Sequence, residues 1–185
     1  MLKLVVKIIL NKFLLFLILY SSSTVVAQNK KEVTDGIFVT FPSTPEYKAL
    51  QGNLTYSGKT ENALYMAIVV KNVIPNYSEY VQAQKTWSEK EKQQIIDALL
   101  DNAVRGKLDY TDSQGSSNKI KKGNYQGRTI QYQAINPLTG NKGNVNSTIL
   151  LVRNSLVSFE VWNTKEESSS ASKEREKFLN SISTN

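Results

Sequence analysis

The sequence predicts an α+β fold built on a mostly antiparallel β-sheet. Three observations lead there. Most of the chain after Gly36 alternates apolar and polar residues with period two. One long segment switches to helical spacing behind a capping sequence. The order of elements is strands, a long helix, four strands and a short helix, the arrangement of an α+β domain rather than of βαβ units.

Gln28 to Asp35 is polar and charged, and is expected to be a disordered leader. IFVTFP sets Ile37, Val39 and Phe41 against Phe38 and Thr40, a strand stopped by Pro42. Pro42 to Pro45 reads as a turn. ALQGNLTYS and NALYMAIVVKNV then flank Gly58-Lys59 and read as a hairpin, its second run apolar enough to lie inside a sheet. Tyr77 to Trp87 is open between a continuous helix and a separate turn.

Ser88-Glu89-Lys90-Glu91 fits a capping box, in which serine and glutamate satisfy free amides at a helix start. Behind it Ile95, Ile96, Leu99, Leu100, Ala103 and Val104 recur at helical spacing, leaving Lys92, Gln93, Asp97 and Asp101 outside. Gly106 is read as the terminator. GKLDYTD is expected to be a strand, Ser113 to Asn118 a connection, and NKIKK and RTIQYQAI strands either side of GNYQG. NPLTGNKGN is a turn, STILLVRNSLVSFEVW two strands meeting near Asn154-Ser155, and Thr164 to Ser172 a link containing a helix start. The closing helix sets Phe178, Leu179 and Ile182 on one side.

The two glycines of GNYQGRTIQYQ, Gly123 and Gly127, could open a phosphate-binding loop. Such a loop works by converging its amides and a helix amino terminus on the anion. Here the residues after Gly127 alternate with period two, so their amides belong to a sheet ladder. The stretch is a bend, and Gly127 is expected at it.

The first residues belong to a different class. Lys3, Lys7 and Lys12 precede an apolar run from Phe13 to Tyr20, followed by polar Ser21 to Thr24 and small residues at Val25 and Ala27. That order reads as a secretory signal, residues 1–27, cut between Ala27 and Gln28. The run falls far short of the ~20 apolar residues that span a bilayer. Residues 28–185 are then one domain, periplasmic or secreted, with no transmembrane segment once the signal is removed. Losing three lysines and no acids lowers the net charge from +7 to +4. This is mildly basic and does not suggest a nucleic-acid partner. There is no cysteine, hence no disulfide and no thiol for lipid attachment at the cleavage point. Three N-x-[ST] sequons, at Asn53, Asn76 and Asn146, matter only in a eukaryotic secretory pathway.

With no histidine and no cysteine, the Ser-His-Asp and Cys-His catalytic units cannot form, and the nitrogen and sulfur ligands favoured by zinc and copper are missing. No cofactor is implied. A carboxylate hydrolase would have to draw on Asp109 and Asp112, placed around a strand end, with Glu160 on a later strand. Asp109-x-x-Asp112-Ser113-Gln114-Gly115 lacks the alternating oxygens and closing glutamate of a calcium loop and reads as a polar turn.

Lys119, Lys121, Lys122, Arg128 and Lys142 gather on adjoining turns with Tyr125 among them. They are a candidate contact for an anionic surface or acidic partner, against the common use of lysine to blunt a sheet edge. Trp87 and Trp162 read as core or rim residues.

FVTFPSTP, GNYQGRTIQYQ, the pair STILLVRN and LVSFEVW, and the closing KFLNSIS together resemble the PsbP-like α/β fold family. The family includes the extrinsic PsbP subunit of photosystem II, a Ran-binding nuclear import factor and small bacterial envelope proteins. The resemblance spans most of the chain after Gly36. It implies an antiparallel sheet with helices packed on both sides, and a binding or assembly role rather than catalysis. The functional expectation is a non-enzymatic exported protein that binds a partner, a protein or an anionic surface, at the cell envelope. The alternatives are a carrier of a lipid or other apolar ligand in a pocket between sheet and helix, and a carboxylate-based hydrolase.

Overall fold

The computed structural model describes residues 29–136, 138–164 and 168–185. The signal segment and its cleavage point between Ala27 and Gln28 lie outside the described residues. Ten strands and three helices follow one another along them.

Strand β1 (Lys30–Thr34) pairs antiparallel with β2 (Ile37–Thr40), which pairs in turn with the C-terminal β10 (Ser183–Thr184). The segment expected to be a disordered leader is thus ordered from Asn29. Its backbone gains partners in β2, and Val33 is buried beneath it. β2 alternates as expected, with Ile37 and Val39 buried and Phe41 buried just beyond it.

The main sheet runs β3-β4-β5-β9-β8-β7-β6, every neighbouring pair antiparallel. β3 is Glu46–Leu50, β4 Asn53–Lys59 and β5 Ala63–Lys71. β6 is Gly115–Lys122, β7 Tyr125–Ile135, β8 Lys142–Val152 and β9 Ser155–Asn163. The expected hairpin turn at Gly58-Lys59 is displaced. ALQGNLTYS is itself folded over at Gln51 and Gly52, whose φ values of 52° and 82° suit a tight hairpin turn. Gly58 lies within β4 because Ser43 and Phe41 press on it, leaving a Cβ only 3.0 Å from the serine Oγ.

Each face of this sheet carries a core. On one face Tyr65, Ala67 and Val69 of β5, Val157, Phe159 and Val161 of β9, and Leu150 and Val152 of β8 pack under the small sheet and α3 (Ser169–Asn180). Phe178 of α3 sits between Phe41 and Tyr65, its ring centroid 5.3 and 5.2 Å from theirs. On the other face α2 (Glu89–Tyr110) lays Leu100 and Val104 on Ile130, Tyr132, Ala134, Val145, Ile149 and Leu151. The architecture is therefore an α+β sandwich with helices on both sides of a mostly antiparallel sheet.

The capping box at Ser88 forms as expected: its amide donates to Glu91 Oε2 at 2.7 Å, and the Glu91 amide donates to Ser88 Oγ at 3.3 Å. The helix does not stop at Gly106, nor is GKLDYTD a strand. A mid-helix glycine costs only ~1 kcal/mol relative to alanine, and continuing the helix lets Lys107 and Leu108 reach the sheet. The helix ends at Thr111, with Asp112 in the left-handed region at φ 46°. Before it, Tyr77–Ala83 is a separate short helix, α1, so Tyr77 to Trp87 is not one continuous helix. β6 begins inside the expected connection because its ladder to β7 is made by backbone groups, whatever its side chains.

The bend in GNYQG lies at Gly123, where φ is 56°. Gly127 is not at it. Gly127 is a mid-strand residue of β7 facing Leu150 of β8, and it is glycine because β8 is too close for a side chain. An added Cβ would lie 2.2 Å from the Ile149 carbonyl oxygen and 2.7 Å from Leu150 Cδ2.

Gly127→Ala should therefore destabilise by about 1–3 kcal/mol through overpacking, seen as a lower denaturant midpoint. An unchanged midpoint would show that β7 and β8 can separate freely. Leu100 is 0% exposed whereas Leu99 is only partly buried. Leu100→Ala should cost roughly 2–5 kcal/mol and Leu99→Ala clearly less, a ranking that urea titration of both variants checks.

Candidate functional site

The chemically richest region lies between α2 and the sheet. A helix advances ~6 Å over four residues and a strand ~6.6 Å over two, so an i, i+4 row on α2 can keep step with one face of β7. Gln93, Asp97 and Asp101 form that row, above Gln126 and Arg128. Gln93 and Gln126 exchange two amide hydrogen bonds, of 2.6 and 2.8 Å. Arg128, 3% exposed, donates from Nε to Asp101 Oδ1 at 2.8 Å and from Nη2 to Asp97 Oδ1 at 2.7 Å. Lys119 on β6 donates to Asp97 Oδ2 at 2.8 Å. Lys119 and Arg128 hold the Asp97 carboxyl well below the usual aspartate range. The expectation that Gln93 and Asp97 stand outside the packing is corrected accordingly, whereas Asp101 stays exposed while it pairs with Arg128.

Further along the same helix, Lys107 Nζ donates to Glu160 Oε1 on β9. Glu160 is 1% exposed. It also accepts from Ser158 Oγ at 2.8 Å and from Trp162 Nε1 at 2.8 Å, and Ser147 Oγ lies 3.2 Å from Ser158 Oγ. The Tyr132 ring meets the Trp162 ring edge-on, centroids 6.3 Å apart. Its buried hydroxyl has no hydrogen-bond partner among the described residues. Burial, with a smaller contribution from the Glu160 charge, pushes the Tyr132 phenol up.

The candidate anionic contact does not survive as one patch. Lys122 pairs with Tyr125 and Lys142 with Ile135, opposite ends of a strand that spans ~33 Å over ten steps. Arg128 is enclosed and neutralised by two aspartates. Lys119 is 68% exposed but held by Asp97. Lys121 and Lys122 remain, at the turn end of the β6 edge. The carboxylate trio is also separated. Asp109 and Asp112 are exposed at the C-terminal end of α2, not around a strand end, while Glu160 is sealed beneath that helix. Trp162 proves to be a rim residue with a polar task, and Trp87 packs edge-on against Tyr80, centroids 5.5 Å apart. The sequence signal for the Glu160 cluster was present in LVSFEVW, a single acid in a largely apolar strand.

Removing Lys107 would leave an uncompensated buried carboxylate. Lys107→Met should destabilise by about 3–5 kcal/mol, and the double variant with Glu160→Gln should recover much of that loss. A double-mutant cycle by denaturant unfolding measures it, and additive losses would refute the coupling. Because its folded value is lowered, the stability Asp97 contributes is complete above the ordinary value of 3.8 and is lost as pH falls below that. Melting temperature should accordingly decline more steeply below about pH 4 in the natural chain than in Asp97→Asn, a difference that calorimetry across an acid series resolves.

No protein-family model matches the chain, and no curated protein does. Solved structures similar to it include the following two. One, a protein from Bacteroides thetaiotaomicron, is 15% identical with a TM-score of 0.45, over 85% of this chain and 49% of that one. The chain thus spans about half the length of the Bacteroides protein. The other is cyanobacterial PsbP (CyanoP) from Synechocystis, 9% identical with a TM-score of 0.49, over 85% of this chain and 94% of that one.

Proposed function

We propose that the chain is an exported, non-catalytic protein that works at the cell envelope by binding or assembling with a partner. The observation that carries this reading is where its inner charges are used. Arg128 and Glu160 are the buried charged residues among those described, and both are spent joining α2 to the sheet. Catalytic groups need access to a reacting atom and a pKa matched to the task; these lie beneath a helix in ion pairs. The absence of histidine and cysteine throughout the sequence points the same way. The lysine, apolar and small-residue order of the first 27 residues supports export. No helix among the described residues is long and apolar enough to cross a membrane.

The carrier reading is weaker. The α2 face of β7, β8 and β9 is filled by Leu100, Val104 and their partners, and the pocket on the α3 face has charged walls. Lys121 and Lys142 are exposed at opposite ends of the basic set, and Lys121, with the half-buried Lys122 beside it, is the place to look for an acidic partner.

The expected outcome is a processed chain starting at Gln28 in the exported fraction, identified by amino-terminal sequencing, and cross-linking there to a defined envelope component. An intact Met1 start in the cytosol would overturn the export reading. Turnover of glycan or ester substrates that Glu160→Gln abolishes would overturn the non-catalytic one.

A further inference from the structure

Where β2, the β4–β5 turn and α3 meet, the surface dips into a pocket of about 320 Å³. Thr40, Phe41 and Pro42 line one side, and Glu174, Lys177 and Phe178 of α3 line the other. Its carboxylate is prepared from beneath. The fully buried Tyr65 donates its hydroxyl to Glu174 Oε2 at 3.0 Å, and Thr60 Oγ1 donates to the same oxygen at 3.0 Å. Oε1 takes no hydrogen bond from the described residues. Lys177, one turn further along the helix, is exposed. Glu174 and Lys177 make no ion pair with each other or with any described residue.

This arrangement is unusual for the molecule, whose other enclosed charges are matched. Side chains at i and i+3 stand ~5–6 Å apart at Cβ on one helix face, so the pocket holds one anion and one cation at short separation beside the exposed Pro42, with Phe41 and Phe178 sealed beneath. A simple anion would meet Glu174, a simple cation would meet Lys177, and a lipid chain would meet both. Its volume falls at the small end of ligand pockets, which run from ~300 to ~1,000 Å³. We infer that the pocket binds a small zwitterion of the free α-amino acid class. The ammonium group donates to Glu174 Oε1, the carboxylate accepts from Lys177 Nζ, and an apolar side chain lies against Pro42. Tyr65 and Thr60 are positioning residues: they hold the carboxylate still, so less freedom is lost on binding. This site is separate from the α2 clusters and does not depend on export.

The test is titration calorimetry of the folded chain with L-leucine, with isopentylamine, which lacks the carboxylate, and with isocaproate, which lacks the ammonium. Each is run against the natural chain, Glu174→Gln and Lys177→Met. Glu174→Gln keeps a carbonyl oxygen for Tyr65 and Thr60, and Lys177 is exposed, so equal melting temperatures should show both variants intact. Leucine is expected to bind saturably, and each substitution to weaken it by about tenfold or more, as loss of a charge-assisted bond does. Isopentylamine should bind more weakly and respond to Glu174→Gln alone; isocaproate should respond to Lys177→Met alone. The inference is overturned if leucine gives no saturable heat at millimolar concentration, or binds all three proteins equally. It is equally overturned if isopentylamine matches leucine and ignores Lys177→Met.

Discussion

The centre of this sheet is covered on both faces, and that constraint governs the rest. β8 and β9 have α2 above them and the small sheet with α3 below. A charged side chain buried on them must find its partners inside the protein, because an unpaired buried charge costs several kcal/mol. Glu160 is the severe case. It is satisfied by Lys107 from the helix, by Ser158 from its own strand and by the Trp162 indole. The helix must reach Lys107 to supply that cation, which is why it runs through Gly106.

The same logic sets where α2 lies along β7. Apolar packing of Leu100 and Val104 is non-directional and tolerates sliding of the helix. The reciprocal Gln93–Gln126 pair and the Arg128 fork to Asp97 and Asp101 do not, since each is satisfied at one position only. The hydrophobic stripe chooses the face of the helix, and the polar row chooses its register. Gly127, next to Arg128, lets β8 come close behind that fork.

On the opposite face the balance differs. α3 is short and is anchored by Phe178 between Phe41 and Tyr65. The C-terminal strand returns to β2, with Ser181 Oγ accepting from the Thr40 amide at 2.9 Å and the Asn185 amide donating to the Gly36 carbonyl at 3.1 Å. This closure ties the two ends of the described domain together and builds the pocket in which Glu174 and Lys177 stand unmatched.

Local order along the chain determined the strand-rich α+β class, the capping box at Ser88, the helical stripe behind it, the β8–β9 hairpin and the closing helix. In each, the deciding physics is short-range: side-chain period, cap chemistry and turn residues. The tertiary structure alone decided that Gly106 is helical, that Gly58 and Gly127 lie inside strands, and that Lys30–Thr34 is a strand. A glycine reads alike whether it marks a turn or a close approach of another strand, and only the neighbour tells them apart. The site was less legible still. Arg128 and Lys119 look like a surface patch with Lys142 because charge is visible in sequence but burial and pairing are not. Asp97 and Asp101, some thirty residues away, meet Arg128 only because four residues of a helix and two of a strand cover nearly the same distance.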